Sequence, residues 1–546
     1  MSVAEARAWR DQDIDPDTVA QLDTLIAHAE AGDQAARAEL EAAFAGPLQF
    51  GTAGLRGPMG PGPARMNRVV VSQAAAGFGH WLVDNGCEGG RVLVSYDARF
   101  KSADMARDTA EILAAQGFEV LLTERATPTP VVPFGIGRLG CVAGVVVTAS
   151  HNPPQDNGYK VYLGDGSQIV PPTDAEIADR IAEVAEQPVR TLPRSGEYTL
   201  VGDDLVQAYV EHAASLPAPG TPREVSWLYT AMHGVGARVL EAAAARAGFP
   251  DPYVVAAQHD PDPAFPTVAF PNPEEPGAID LALDLARAHG VDVVVANDPD
   301  ADRCAAAAVI DGEWRMLTGD ELGALLADDA LRRGVTGVYA CSIVSSTLLS
   351  AMAERHGQPF EATLTGFKWI GRVPGLAFGY EEAIGYCTDP ESVPDKDGMT
   401  TALRLLTLTA GLRAEGLTLA DRLDEIARTY GLHSTAQLSV RVADLSLISD
   451  AMARLRAAPP QVLLGEQVDV ADLAAGGDLP PTDAVELGGD TLGVVVRPSG
   501  TEPKLKCYLE VRSTAAESQD VRATRQLHAQ RLAALKQEMA VALGLA

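Results

Sequence analysis

Short apolar runs rich in β-branched residues alternate with Ala- and Leu-rich stretches along most of the chain. The apolar runs have the length of strands, and the intervening stretches have helical periodicity. This alternation predicts α/β domains in which helices cover both faces of a mainly parallel sheet. The clearest predicted strands are residues 91–94, 142–147, 227–230, 291–296 and 338–341, and the clearest predicted helices are residues 103–116, 204–214, 237–247, 281–289, 320–333 and 345–355.

Changes in composition predict where domains meet. Stretches rich in Pro, Gly and acidic residues lie near 187–203 and 311–319, and a Gly-, Ser- and Thr-rich stretch lies near 431–436. Beyond the last stretch, two strand-like runs flank residues 497–504, and a long amphipathic segment follows at about 515–541. A chain of 546 residues has room for three to four domains. We predict three α/β domains followed by a smaller α+β domain, with bounds 1–200, 201–315, 316–435 and 436–546.

Net charge narrows the choice of partner. The chain has 74 acidic and 43 basic residues, a formal net charge of −31. A field of this sign repels nucleic acid and anionic membranes, so neither is an expected partner. The field also opposes a small phosphorylated substrate, so a site for one must contain its own cluster of Arg and Lys. Oligomeric state cannot be read from the sequence.

Cysteine spacing and the N-terminal residues point to a reducing compartment. The six cysteines are scattered and include no C-x-x-C pair, which argues against a zinc site and a disulfide framework. The first residues are charged rather than apolar, and the apolar runs are far shorter than the roughly 20 residues that span a bilayer. We therefore expect a cytoplasmic protein. Residues 1–45 are predicted to be a helical lead-in with no assigned function.

One loop with potential chemistry, TASHNP at residues 148–153, directly follows an apolar predicted strand. Ligands of parallel α/β sheets gather at the carboxyl ends of the strands. Ser150 is therefore well placed to be a nucleophile or a phosphate carrier. The alternative is an ordinary serine-containing turn, with Asn-Pro ending the regular structure.

A second loop, DPDADR at residues 298–303, places carboxylates at every second position after the strand predicted at 291–296. Asp298, Asp300 and Asp302 concentrate hard oxygen ligands, and their mutual repulsion favours a bound cation. An EF-hand is excluded because Arg303 stands where the loop needs glycine and Val309 where it needs glutamate. The remaining alternative is a solvated acidic turn, but the adjacent arginine favours a metal beside a phosphate.

Three further segments are weaker signals when each is taken alone. Glu381 and Glu382 of GYEEAIG offer carboxylates that can accept hydrogen bonds from sugar hydroxyls. The segment RPSGTEPK combines Arg497, hydroxyls, a glycine and Lys504, which is a plausible phosphate cradle and not a Walker A loop. Arg56 of GTAGLRG lies between glycines and can approach an oxyanion. Each of these segments can equally be a plain surface turn.

Taken together and in order, these segments resemble the α-D-phosphohexomutase superfamily, which contains phosphoglucomutase and phosphomannomutase. The matching pieces are GTAGLRG, TASHNP, DPDADR, GYEEAIG and RPSGTEPK, spread from residue 51 to residue 504. The phrases QDNGYKVY, TAMHGVG, TGFKWIG and DKDG are most similar to the branch that contains phosphopentomutase, glucose-1,6-bisphosphate synthase and some bacterial phosphoglucomutases. The resemblance implies four domains around a central cleft, three of them similar mixed α/β domains and the last a smaller α+β domain.

The resemblance also implies a division of roles. Ser150 would be phosphorylated, would ligate Mg²⁺ with Asp298, Asp300 and Asp302, and would pass its phosphate to a phosphosugar. A sugar 1,6-bisphosphate would be both the intermediate and an activator. Lys160 and Arg56 would serve proton transfer and transition-state charge, with Lys160 the predicted general base if its pKa is lowered toward neutral; His151 and His233 are rival bases. The implied substrate-binding residues are Arg303, Thr365, Gly366, Lys368, Glu381, Glu382, Lys396, Arg497, Ser499, Gly500 and Thr501.

One departure from the family pattern affects the choice of sugar. Many glucose- and mannose-handling members carry serine two residues after the first glutamate of the third loop, whereas this chain has Ala383. Phosphoglucomutase is our first prediction, with phosphomannomutase and phosphopentomutase as alternatives. A metal-dependent sugar phosphatase and a non-catalytic sensor of sugar bisphosphates are alternatives from other classes.

Overall fold

The computed structural model describes residues 3–442, 446–477, 479–499 and 504–545. The chain forms two compact units, one of residues 1–306 with 389–410, the other of residues 307–388 with 411–546. Among the described residues, no helix is both long and apolar enough to cross a bilayer. Two elements pass from one unit to the other along the chain: strand β10 (Ala305–Ile310) and helix α14 (Gly398–Ala414).

The first unit begins with three helices and continues as alternating strands and helices. Its helices are α1 (Val3–Gln12), α2 (Pro16–Glu30), α3 (Gln34–Ala43), α4 (Arg68–Asp84), α5 (Ser102–Ala115), α6 (Val131–Leu139), α7 (Thr173–Ala185), α8 (Asp203–Ser215), α9 (Ala237–Ala247) and α10 (Asp280–His289). Its strands are β1 (Leu55–Pro58), β2 (Arg91–Tyr96), β3 (Glu119–Thr123), β4 (Ala143–Val147), β5 (Asp156–Leu163), β6 (Thr199–Val201), β7 (Trp227–Thr230), β8 (Tyr253–Val254) and β9 (Val293–Ala296).

The first sheet has the strand order β1-β5-β4-β2-β3-β6. Strands β4, β2, β3 and β6 run parallel, whereas β5 pairs antiparallel with β4, and β1 pairs antiparallel with β5. Strand β4 is wholly buried, as expected for the interior of a parallel sheet. Strands β8 and β9 likewise flank β7 in parallel. The predicted mixed α/β architecture is confirmed, with antiparallel strands at one edge of the first sheet.

The second unit contains an α/β part and an antiparallel part. Its remaining helices are α11 (Gly319–Arg332), α12 (Leu348–Arg355), α13 (Phe367–Ile370), α15 (Leu419–Tyr430), α16 (Ser446–Ala457) and α17 (Val521–Leu543). Its remaining strands are β11 (Glu313–Met316), β12 (Val338–Ser342), β13 (Phe360–Thr363), β14 (Leu376–Glu381), β15 (Gly385–Cys387), β16 (Leu432–Arg441), β17 (Val462–Leu463), β18 (Glu466–Gln467), β19 (Asp469–Asp472), β20 (Val485–Gly488), β21 (Leu492–Pro498) and β22 (Lys504–Ser513).

Sheet topology separates these two parts. Strand β12 lies between β13 and β14, parallel to both, and β15 adds antiparallel to β14. The antiparallel sheet has the order β16-β22-β21-β20-β19 and packs on a core of its own that includes Leu535 and Met539 of α17. This is the α+β part that the sequence predicts for the C-terminal region.

Candidate active site

The Ser150 loop leaves the buried end of β4 in a strained conformation. Ser150 has φ 52°, in the left-handed region that costs energy for any residue with a Cβ. Its backbone N–H donates to Thr148 Oγ1 at 2.9 Å, and the Thr148 hydroxyl donates to Asp97 at 2.6 Å. The Ser150 side chain is buried, and its Oγ donates to Asp298 Oδ2 at 2.8 Å. The nucleophile predicted from the sequence therefore contacts the predicted metal loop.

Arg99 fixes the backbone of the Ser150 loop through hydrogen bonds, a role that the sequence analysis did not predict. Its guanidinium donates to the carbonyl oxygens of four residues: Ser150 at 2.6 Å, Asn152 at 2.5 Å, Pro153 at 2.8 Å and Asp156 at 3.2 Å. The side chain is buried, with Asp97 Oδ2 3.3 Å from its Nε. Burial lowers the pKa of Arg99, and the neighbouring carboxylates oppose that shift. The one available sequence signal is position, because Arg99 follows β2, the strand next to β4.

The three aspartates of the metal loop are fully buried at the carboxyl end of β9. One oxygen from each lies within 4.8 Å of the others. Burial raises the pKa of Asp298 well above its usual value, and the charges of Asp300 and Asp302 raise it further. Burial also acts to raise the pKa of Asp300, but Lys160 and Thr129 outweigh it and the net shift is downward. Such a cluster of buried acids requires compensating cations.

Free carboxylate oxygens show where a cation would fit. Lys160 donates to the Oδ2 atoms of Asp300 and Asp302, each at 2.7 Å, and Thr129 donates to Asp300 Oδ2 at 2.7 Å. The Oδ1 atoms of the same two aspartates are buried, and no N–H or hydroxyl donor of the described residues reaches them. These oxygens, with Asp298 and Ser150, match the oxygen-only ligand set of a hard divalent cation.

Basic side chains surround the acidic cluster. Lys396 Nζ lies 3.5 Å from Asp302, and Arg303 Nε lies 3.9 Å from both Asp298 and Asp302. Arg56 on β1 donates to the Asn152 side chain at 3.4 Å. These cations supply the local positive charge that a phosphorylated substrate needs in an acidic protein. The structure thus brings together, in the first unit, the predicted residues Arg56, Ser150, Lys160, Asp298, Asp300, Asp302, Arg303 and Lys396.

The candidate bases differ in their surroundings. Burial acts to lower the pKa of Lys160, but Asp300 and Asp302 raise it above its ordinary value, so the ammonium is the stable form here. The lowered pKa that a lysine base requires is therefore not seen. His151 Nδ1 lies 3.2 Å from Ser150 Oγ. His233 instead hydrogen-bonds Thr267 at 2.8 Å, and burial lowers its pKa, as in a structural histidine.

The glutamates of the third motif lie in the second unit. Glu381 is buried at the end of β14, and Glu382 accepts hydrogen bonds from Ser342 at 3.1 Å and from Ser345. A Cβ on Gly319 would lie 1.8 Å from the Glu382 carbonyl oxygen, so only glycine fits beneath this loop. Thr365 and Gly366 precede α13, and Lys368 lies on it. The substrate roles of these residues stay predictions.

The predicted phosphate cradle begins at the end of β21. Arg497 pairs in register with Lys506 of β22, and the Ser499 N–H donates to the Lys504 carbonyl at 2.8 Å. Burial raises the pKa of Tyr508 well above its ordinary value, and nearby Glu382 raises it further while nearby Arg497 acts to lower it, so the third and fourth motifs lie near each other within the second unit. Gly500 and Thr501 lie outside the described residues.

The chain belongs to the phosphoglucomutase/phosphomannomutase family. The alpha/beta/alpha domains I, II and III of that family match residues 47–188, 207–309 and 318–430, and its C-terminal domain matches residues 439–525. The chain is therefore a phosphosugar mutase, an isomerase that works by phosphoryl transfer.

Named relatives include mutases for different sugars. The chain is 45% identical over 469 residues to the Haemophilus influenzae protein named "Probable phosphomannomutase", covering 83% of this chain and 95% of that one. It is 35% identical to human phosphopentomutase, covering 93% and 91%. The Burkholderia thailandensis phosphoglucomutase/phosphomannomutase family protein has the same fold, with a TM-score of 0.68 at 19% identity, covering 90% of this chain and 97% of that one.

Proposed function

We propose that this mutase works through phospho-Ser150 and a sugar bisphosphate. The observation that carries the proposal is the Ser150 hydroxyl, buried at the end of β4 and 2.8 Å from the carboxylate of Asp298. A serine in this position can carry a phosphoryl group from one position of a sugar to another while the basic side chains of Lys160, Arg303 and Lys396 offset the added charge. A solvated serine turn has none of these features.

We infer that Mg²⁺ is the resident cation, held by Asp298, Asp300 and Asp302 with Ser150. When bound, it neutralises charge on the phosphoryl group that is being transferred. The observation for the fit is the pair of buried Oδ1 atoms of Asp300 and Asp302, which no donor among the described residues reaches. An all-oxygen set with few protein ligands suits Mg²⁺, which demands near-ideal geometry and usually keeps several waters.

Two transfers of the same group complete the isomerisation. In the first, the bond between phosphorus and Ser150 Oγ breaks, a bond forms to the free hydroxyl of the sugar phosphate, that hydroxyl gives up its proton, and Ser150 Oγ takes one up. The product is a sugar bisphosphate and free Ser150. In the second, the bond between the other phosphorus of the bisphosphate and its sugar oxygen breaks, a bond forms from that phosphorus to Ser150 Oγ, which gives up its proton, and the sugar oxygen takes one up. Lys160, Arg303 and Lys396 offset the charge of the phosphoryl group in both steps.

Two side chains of the Ser150 site are candidates for the proton acceptor, Lys160 and His151. Lys160 is an ammonium between two aspartates in this structure, so its first role is that of a cation. His151, 3.2 Å from Ser150 Oγ, is the rival candidate. A Lys160→Ala variant that keeps near-normal kcat would exclude Lys160 as the base.

For the sugar, we propose glucose, interconverted between its 1-phosphate and 6-phosphate, with a 1,6-bisphosphate as activator. The roles of Glu381 and Glu382 at sugar hydroxyls, and of Arg497 and Ser499 at the phosphate that is not reacting, follow the family pattern. Mannose is the second candidate because the Haemophilus relative is named for it. A pentose is the third, since Ala383 lacks the hydroxyl found in many hexose enzymes and human phosphopentomutase is similar over most of its length.

The test is a parallel assay with glucose 1-phosphate, mannose 1-phosphate and ribose 1-phosphate. We expect isomeric sugar phosphate to form fastest from glucose 1-phosphate, with stimulation by added glucose 1,6-bisphosphate. Free phosphate is measured in the same tubes. Stoichiometric release of phosphate without an isomer would show a phosphatase, and a higher kcat/KM for mannose or ribose would overturn the choice of glucose.

A further inference from the structure

Lys396 reaches the acidic cluster on a short segment that the first unit holds at several points. The Tyr209 hydroxyl donates to the Asp397 carboxylate and lies 2.7 Å from Oδ1 and 2.8 Å from Oδ2. The same carboxylate caps the first turn of α14, because it accepts the N–H groups of Met399 and Thr400. A Cβ on Gly398 would lie 2.3 Å from the Arg303 carbonyl oxygen. The start of α14 therefore packs closely against the loop of residues 298–303, and Lys396 lies two residues before this helix.

Asp395 is the residue that orients this lysine. Its Oδ1 accepts the backbone N–H of Lys396 at 2.8 Å and lies 3.6 Å from Lys396 Nζ. Its Oδ2 accepts the Tyr162 hydroxyl at 3.0 Å and the Gln168 amide at 2.7 Å. Asp395 and Tyr162 are almost completely buried, so a lost hydrogen bond here cannot be replaced easily by water.

Tyr162 connects this carboxylate to the strand that carries Lys160. Residues 160 and 162 of β5 point to the same face of the sheet because successive side chains of a strand alternate. Lys160 contacts Asp302 Oδ2 at 2.7 Å, and Lys396 lies 3.5 Å from the same oxygen. Contacts therefore lead from Tyr162 through Asp395 and Lys396 to Asp302, and Lys160 of the same strand as Tyr162 reaches the same Asp302 oxygen.

We propose that Tyr162 and Asp395 are positioning residues of the mutase reaction, which hold the Lys396 ammonium where it meets the phosphoryl group that Ser150 gives and takes. The proposal rests on the phospho-Ser150 function above. It assigns a task to two residues outside the five motif loops. The Lys396 ammonium stabilises the transition state of phosphoryl transfer more than it stabilises the bound substrate. Displacing the ammonium is therefore expected to lower kcat more than it raises KM.

The first test is Tyr162→Phe, which removes the hydroxyl and keeps the ring. On whichever sugar phosphate the wild type accepts, we expect kcat to fall about tenfold, the cost of one hydrogen bond to a charged group, with KM changed less than about threefold. Tyr159→Phe is the matched control, since Tyr159 is an equally buried tyrosine on the other face of the same strand. It should keep kcat within about twofold. A Tyr162→Phe variant with unchanged kcat would overturn the proposal.

A second test separates positioning from general stability. In a Lys396→Met background, Tyr162→Phe should lower kcat no further, because Tyr162 acts through the ammonium that is already gone. An equal tenfold loss in both backgrounds would show a structural role only and would overturn the proposal. Gln168 is a partly buried donor to the same Asp395 oxygen. Gln168→Met should lower the kcat of the wild type as Tyr162→Phe does, and it should leave the kcat of the Lys396→Met variant unchanged. The sugar preference of the wild type tests the choice of glucose separately. A failure of that choice can therefore be distinguished from a failure of the positioning role of Tyr162 and Asp395.

Discussion

Replacing Arg99 with lysine removes the planar fork that holds the Ser150 loop while keeping its positive charge beside Asp97. The guanidinium reaches four carbonyl oxygens, those of Ser150, Asn152, Pro153 and Asp156. A lysine ammonium is a single point with three donors, so it cannot reach carbonyls spread along this much of the loop. We expect it to keep one or two of the four hydrogen bonds.

The magnitude follows from the bonds lost. Two or three buried hydrogen bonds at about 1–1.5 kcal/mol each give a loss of about 2–4 kcal/mol. In a domain of roughly 150–250 residues, 1 kcal/mol shifts Tm by about 2–4 °C, so this loss corresponds to a fall in Tm of roughly 5–15 °C. The loop also holds Ser150 at φ 52°, a conformation that persists only while its surroundings enforce it. A serine displaced by about 1 Å lowers kcat by about a hundredfold.

The assay measures both quantities on one preparation. Thermal unfolding gives Tm, and initial rates at saturating sugar phosphate give kcat. Arg107→Lys is the control, because Arg107 lies on the exposed face of α5, where it pairs with Asp104. It should change stability by less than about 0.5 kcal/mol and leave kcat unchanged. If Arg99→Lys retains wild-type kcat and Tm, the loop does not depend on this fork and the reasoning is refuted.

Three further predictions concern the metal and pH. Mg²⁺ should raise the Tm of the wild type and restore activity after chelation, whereas Asp302→Asn should show neither response; an equal rise in Tm for the variant would place the metal elsewhere. Burial raises the pKa of Asp320 to about 7, so its contribution to stability is present below about pH 4 and is lost, by roughly 4 kcal/mol, as pH rises to 7. Asp320→Asn should flatten that part of the stability–pH curve, and a curve parallel to wild type would contradict the burial argument. The hydrogen bond to Asp389 raises the pKa of His212 against the effect of burial, so its stabilisation is complete below about pH 6.5 and disappears as pH rises through the raised value. His212→Gln should remove this loss from the curve, and an unchanged decline would assign it to another group.

Periodicity was sufficient to predict the regular elements wherever packing and local propensity agree. The predicted helix at 237–247 coincides with α9 and the predicted strand at 227–230 with β7, and the other clearest predicted strands and helices differ by one to three residues at their ends. Asp311 and Gly312, at the start of the stretch predicted as a domain boundary, form a two-residue hairpin turn, both with positive φ. Helix α12 begins three residues later than predicted because the hydroxyls of Ser345 and Ser346 bond Glu382 and Glu510 instead of continuing a helix.

For the site, local sequence predicts where the motif loops lie, whereas the residues that support these loops are seen only in the folded structure. The loops TASHNP and DPDADR could be located because each follows an apolar strand of a parallel sheet, and ligands gather at the carboxyl ends of such strands. Arg99, Thr129 and Asp395 could not be located in this way, because each acts on partners far away in the sequence: Arg99 on carbonyl oxygens, Thr129 on Asp300, and Asp395 on Tyr162 and Gln168. The position of Arg99 after β2 and the DKDG phrase around Asp395 indicate nearness to the site, but they do not identify these partners. The raised pKa of Lys160 also depends on tertiary contacts, since both carboxylates lie about 140 residues away in the chain.

The most direct test of the account is the fate of phosphate on Ser150. Wild-type protein incubated with glucose 1,6-bisphosphate is digested and analysed by mass spectrometry, and Ser150→Ala is assayed for interconversion of sugar phosphates in parallel. We predict one phosphate on the peptide that contains Ser150 and no detectable isomer from the alanine variant. A variant that still interconverts sugar phosphates at a rate comparable to wild type would contradict the claim that this serine carries the phosphoryl group.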